Sequence, residues 1–151
     1  SRHSQPGRWL MKSTLVVTLS LLIASAIVVA DEPTVLTGTV THVRDGDTIE
    51  VGKIPIRLNG VSAPELKEPL GPQSKEFMRD LVDGKSVHCE LTGAKTYDRL
   101  VGTCYLGDLD IGVAVIAAGL ALDCPRYSGG RYSEFEVASA QVAIKLPRYC
   151  R

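Results

Sequence analysis

Apolar and polar residues alternate from Thr48 to Leu58, with Ile49 and Val51, then Ile54, Ile56 and Leu58, on every second position. That is the period of a half-buried strand, so two successive strands are predicted here. Asp45-Gly46, just before them, is a turn pair of the kind that joins two strands. On this register Arg57 points away from the face that carries Ile56 and Leu58. The second strand runs into Asn59-Gly60 and then Ser62-Ala63-Pro64-Glu65. Pro64 ends regular pairing and holds Ala63 extended, which leaves Glu65 on a loop at the strand's end. Acidic side chains at the start of one strand and the end of its neighbour can then meet at one rim of a small barrel.

Leu66 to Gly71 reads as a loop beside Glu65. From Pro72 to Val82 the spacing becomes helical, with Phe77, Met78, Leu81 and Val82 on one face, Pro72 tolerated in the first turn and Gly84 as the stop. Ser86 to Leu91 and Val101 to Leu106 read as two further strands. A short apolar helix follows from Ile111 to Ala118, closed by Gly119. Cys124 to Tyr132, with Pro125, Gly129 and Gly130, reads as loop, and Ser133 is placed to cap a last helix that runs to about Lys145 before Pro147. Three strands, a helix, two strands and two helices give a mixed protein with an antiparallel sheet, for which a five-stranded barrel is one of few closed solutions.

The start of the chain has a different character. Residues 1–10 precede the first methionine and are set aside as upstream residues. Met11-Lys12, the apolar run from Leu15 to Val29 and the small-residue pattern ending at Ala30 predict a signal peptide over residues 11–30. The run falls short of the ~20 apolar residues that span a bilayer. No cysteine follows it directly to carry a lipid. Residues 31–151 then suit a single domain, secreted or periplasmic, with no membrane association after cleavage. Three of the seventeen basic side chains, Arg2, Arg8 and Lys12, belong to the leader, which leaves fourteen against seventeen acids. That balance argues against tight, unspecific binding to duplex DNA, although a local basic cleft is compatible with it.

All four cysteines, Cys89, Cys104, Cys124 and Cys150, lie beyond the leader, and none forms the close pair that zinc prefers. An even count in a secreted domain predicts two disulfides. Cys89 and Cys104 sit in strands that the intervening segment can join as antiparallel neighbours, so these two are paired here. Cys124 with Cys150 follows, tying the last residues back to the preceding loop.

Singly, Asp45-Gly46 is explained by a turn, Arg57 by a solvated strand face and Glu65 by a surface acid. Together, the Asp45-Gly46-Asp47-Thr48 sequence and the Arg57 to Glu65 stretch RLNGVSAPE resemble the thermonuclease (staphylococcal-nuclease-like) family in order and spacing. Ala94 to Gly102, AKTYDRLVG, resembles a third segment of that family and supplies Tyr97 and Arg99. The resemblance covers about 110 residues from near Leu36. It implies a mixed α+β, mainly β fold: a five-stranded OB-fold barrel with one helix between the third and fourth strands and two more after the fifth.

The resemblance also implies a nuclease that hydrolyses phosphodiester bonds of DNA or RNA with calcium, and a monomer with no stable protein partner. Glu65 would be the general base, with Arg57 and Arg99 as phosphate clamps. Asp47 would be a calcium ligand, with the Ala63 carbonyl as another. Asp45, Thr48 and Tyr97 would support these groups or touch substrate. Ser62 stands where the family keeps a second metal-binding aspartate, and a neutral hydroxyl is the weaker ligand. A competing expectation is therefore an OB-fold accessory protein that binds a polymer without cleaving it. OB folds take oligosaccharides as well as oligonucleotides, and some secreted relatives carry names tied to succinoglycan production.

Overall fold

A computed structural model describes residue 3 and residues 26–151. The expected leader lies largely outside the described residues. Glu32–Arg151 form one compact unit. No helix among the described residues is long and apolar enough to cross a membrane.

The barrel is organised by β1 (Thr34–Asp45), which serves two neighbours in turn. Its first half pairs antiparallel with β5 (Ser86–Thr96), from Thr34 opposite Leu91 to Thr39 opposite Ser86. Its second half pairs with β2 (Thr48–Val51), and register shifts between Val40 and His42 and between Val43 and Asp45 let it bend from one partner to the other. β3 (Ile54–Leu58) continues from β2, and β6 (Arg99–Leu106) from β5. A parallel pairing of β3 with β6, Ile56 opposite Leu100 and Leu58 opposite Gly102, closes the ring of five strands. This is the five-stranded barrel that the family resemblance implied, and closure leaves few open strand edges. Three two-residue strands are added: β4 (Val61–Ser62), β7 (Leu109–Asp110) on β6, and β8 (Leu122–Asp123), which pairs with β4.

The inward positions Val40, Val43, Ile49, Val51, Ile56, Leu58 and Val87 fill the interior. α1 (Gly71–Val82) contributes Met78 and Val82 to it, and α2 (Ile111–Ala117) contributes Ile111, Val115 and Ile116. The N-terminus of α2 is capped by Asp110, whose carboxylate accepts from the amide of Gly112 at 2.8 Å and from the Tyr132 hydroxyl at 2.9 Å. Cys89 and Cys104 occupy directly opposed positions on β5 and β6 and are disulfide-bonded, as are Cys124 and Cys150. Each closed loop stabilises the domain by typically ~2–4 kcal/mol.

The helices differ from the expected three. α3 (Pro125–Ser128) is a fourth, a single turn inside the segment read as loop, started by Pro125 and ended by Gly129. The last helix, α4 (Ala138–Ala143), is much shorter than Ser133 to Lys145. Ser133 starts only a 3₁₀ turn, Ser133–Phe135, and its hydroxyl donates to the Gly130 carbonyl. Glu136 and Val137 are extended because the Glu136 carboxylate accepts from the Asp123 amide at 2.9 Å, drawing the chain to β8. Ile144 is extended in turn, buried with Leu122 and Ala140 against Leu70 and Leu146.

The β1–β2 turn rests directly on α1. A Cβ on Gly46 would stand 1.8 Å from the Ser74 hydroxyl and 2.9 Å from Cβ of Ala63. Ser74 is fully buried and its hydroxyl has no hydrogen-bond partner among the described residues. Removing an unsatisfied buried hydroxyl relieves its desolvation, so Ser74→Ala is expected to raise stability by about 1 kcal/mol, read as a higher urea midpoint.

Candidate active site

Three strand ends converge at one rim of the barrel. Thr48 at the start of β2 lies opposite Arg57 on β3, and Arg57 lies beside Val101 on β6. Arg99 stands two residues before Val101, so the strand period puts both guanidinium groups on the same face. Thr48 links them to the turn: its hydroxyl donates to Asp47 at 3.1 Å and accepts from Arg99 at 3.3 Å. Arg57 pairs with Asp47 at 3.1 Å and donates to the carbonyls of Leu58 at 3.0 Å and Val61 at 2.6 Å. Its guanidinium is thereby fixed in place before any ligand arrives.

Asp47 is only 6% exposed. Its carboxylate also accepts from the Ala63 amide at 2.8 Å, which ties the turn to the segment leading to Glu65. Burial pushes this carboxyl above the ordinary range, Arg57 opposes the shift, and the neighbouring Asp45 adds to it. Asp45 itself accepts from the Asp47 amide at 3.1 Å, a local turn bond.

Glu65 is exposed on the loop after Pro64, where the proline was expected to leave it. Its backbone is nonetheless held. Its amide donates to the Glu68 carboxylate at 2.8 Å and its carbonyl accepts from the Glu68 amide at 2.8 Å. Gly71 packs so closely on that carbonyl that a Cβ there would approach within 2.0 Å.

Tyr97 and Asp98 form the tight turn between β5 and β6, with Thr96 opposite Arg99. Tyr97 takes a left-handed backbone conformation, φ 56°, rare for an aromatic residue, and its side chain is 95% exposed. The Arg99 guanidinium lies 5.7 Å from its ring centre. Arg44, which the sequence reading missed, anchors the turn: it pairs with Asp98 at 2.9 Å and with Glu50 at 2.8 Å. These bonds hold the Asp98 carboxyl below its usual range. A cation immediately before the Asp45-Gly46-Asp47-Thr48 turn was its only signal in the sequence.

A cleft of about 780 Å³ opens at this rim, and Asp45, Asp47, Arg57, Glu65, Tyr97 and Arg99 all line it. Thr48 and Ala63 stand behind it as hydrogen-bonding partners of Asp47. Ser62 does not line the cleft: it is 2% exposed, in β4 opposite Leu122. Tyr127 and Tyr149 also line the cleft, neither of which the sequence reading had assigned to a site.

A five-stranded OB barrel with two arginines and three carboxylates on one cleft is a scaffold suited to a phosphate-bearing ligand. Residues 55–144 match the family described as staphylococcal nuclease homologue, and the chain belongs to that family. It is 35% identical over 96 residues to an uncharacterized endonuclease of Escherichia coli, covering 60% of this chain and 63% of that protein. A second uncharacterized endonuclease, from Haemophilus influenzae, is 30% identical over 94 residues, 59% of this chain and 53% of the relative. The succinoglycan biosynthesis protein ExoI of Rhizobium meliloti is 34% identical over 113 residues, 67% of this chain and 56% of its own length. The chain thus matches between 53% and 63% of the length of these relatives.

Proposed function

We propose that the protein is a nuclease that hydrolyses phosphodiester bonds of DNA or RNA. The observation that carries this reading is the joint placement of Arg57, Arg99 and Glu65 on one cleft with Asp45 and Asp47. Arg57 and Arg99 bind and orient the phosphate through guanidinium donors, which match its geometry better than an ammonium does. They stabilise the negative charge that grows on its oxygens as water attacks. Glu65 takes the proton of that water, directly or through a second water. Tyr97 contacts the substrate at the edge of the cleft.

The residues present fit a weakly held hard cation. Asp45 and Asp47 crowd two carboxylates together, with Arg57 the nearest opposing charge. Among the described residues, however, no group of three or more His, Cys, Asp or Glu side chains is placed to hold a metal. Calcium takes 6–8 oxygens, so Asp47, Asp45 and the Ala63 carbonyl would leave several to water and phosphate, with the buried Ser62 outside the cleft lining. Bound there, the cation would neutralise charge on the phosphate oxygens.

Two disulfides suit an oxidising compartment, which supports a protein exported by the predicted leader to the periplasm or medium. The second reading, an accessory protein that binds a polymer without efficient cleavage, draws on the buried Ser62 and on the name of the Rhizobium relative.

Cleavage of single-stranded DNA by the oxidised protein across a calcium series, from chelator to ~10 mM, separates the two. The nuclease reading expects calcium-dependent cleavage, together with a calcium-dependent rise in melting temperature. No cleavage at any calcium level from folded protein would overturn it in favour of the accessory reading.

A further inference from the structure

Two cavities meet at the segment 145–151. The cleft described above has Glu65 on one wall and Tyr149 on another, and a neighbouring cavity of about 440 Å³ is lined by Glu68 together with Lys145, Arg148 and Arg151. Glu65 and Glu68 belong to the same hydrogen-bonded turn. Each cavity is thus lined both from that turn and from the 145–151 segment, by different residues of each. The segment itself is fixed twice. Cys150 is bonded to Cys124, which lines the cleft, and Leu146 packs on the cluster of Leu122, Ala140 and Ile144.

Tyr149, next to the buried Cys150, remains 51% exposed, and Tyr127 from α3 is 52% exposed on the same cleft. Aromatic rings held half open in a cleft are stacking platforms for bases. Lys145, Arg148 and Arg151 are all exposed and make no ion pair among the described residues. Three uncompensated cations within seven residues make a local basic patch on a domain of acidic balance, and they face a cavity whose one carboxylate, Glu68, already accepts a bond from the Glu65 amide.

We propose that residues 145–151 form a second nucleic-acid subsite, in which Tyr149 stacks a base of the strand leaving the cleft and Lys145, Arg148 and Arg151 hold its next phosphates. This rests on the nuclease reading. The occupant is single-stranded, because a base inside a duplex has no free face to offer Tyr149. The Cys124–Cys150 disulfide positions the subsite by fixing the segment against the cleft wall.

Binding of labelled oligothymidylates to the oxidised full chain, followed by fluorescence anisotropy in chelator over a salt series, tests the proposal. Tyr149→Ala is expected to weaken binding of a twelve-nucleotide strand by roughly 5- to 100-fold, whereas Tyr149→Phe keeps the ring and binds like the parent. The triple variant Lys145→Ala, Arg148→Ala, Arg151→Ala is expected to flatten the dependence of log Kd on log salt by about 2, near 0.7 for each phosphate lost. That difference should shrink on a dinucleotide, which is too short to leave the cleft. If the parent binds and cleaves but these variants match it in affinity and salt slope, the subsite is overturned and the nuclease reading stands. If the parent neither binds nor cleaves any oligonucleotide, both fall together.

Discussion

Glu65→Gln is expected to slow phosphodiester cleavage by about 10²–10⁴-fold, the range for loss of a positioned general base. The amide is nearly isosteric but cannot take a proton from water. Folding should be almost untouched, because the elements that hold this loop are backbone ones: the amide of Glu65 on Glu68, its carbonyl on the Glu68 amide, and the contact with Gly71. The Glu65 side chain is exposed and makes none of these bonds. The check is single-turnover cleavage of an oligonucleotide beside thermal melting. Cleavage at the parent rate would remove Glu65 from the role of base and direct the search to Asp45 and Asp47 on the same cleft.

Arg57→Ala should differ by failing in both measurements. Removing a charge-stabilising donor is expected to lower the rate by about 10²–10³-fold. It also leaves Asp47 buried without its partner, at the 6% exposure noted above, and breaking such a pair typically costs several kcal/mol. Both side chains keep some contact with solvent, 14% and 9%, so about 2–3 kcal/mol is expected here. The loss has a pH signature whose sign is fixed by the direction of the Asp47 shift. A carboxyl whose folded pKa lies above its unfolded value destabilises the fold only where the unfolded chain would be ionised. The penalty is therefore absent in acid, grows from about pH 4 upward and is complete above the folded pKa. Without Arg57 the folded pKa rises further above its parent value of about 7, so the gap in melting temperature between parent and variant should be flat in acid and widen from about pH 7 upward. Adding Asp47→Asn in the same chain should close most of that gap without restoring cleavage. A gap independent of pH would show that Asp47 is not the group left unpaired.

The two expected results separate a group that acts only on substrate from one that is also part of the fold. Arg57 is held by Asp47 and by two carbonyls before any phosphate arrives, so its orientation is established by the barrel. Glu65 is presented by a tight turn whose side chain is left free. Arg44 belongs to the same design from the opposite side, fixing the turn that carries Tyr97 and leads into Arg99.

Most of the barrel was legible in the sequence because strand period and turn chemistry are local. Alternation through Thr48–Leu58 and the cysteine-bearing segments gave strands close to those observed, and the spacing of Phe77, Met78, Leu81 and Val82 gave α1. The disulfide partners followed from the same strands. α4 was overestimated because its limits are not local: Glu136 is pulled straight by the Asp123 amide, and Ile144 leaves the helix to join Leu122 and Leu70.

The residues of the site divide in the same way. The sequence alone determined which side chains are available and that they alternate onto one face, since the period of two places Arg57 and Arg99 together once β3 and β6 are neighbours. Only the tertiary structure decided that those strands close in parallel, that Asp47 is buried against Arg57, that Ser62 is buried in β4 against β8 and outside the cleft lining, and that Tyr149 reaches the cleft. Each of these depends on contacts between residues far apart in the chain. Burial, charge pairing and pKa are set by such neighbours, and a local pattern does not contain them.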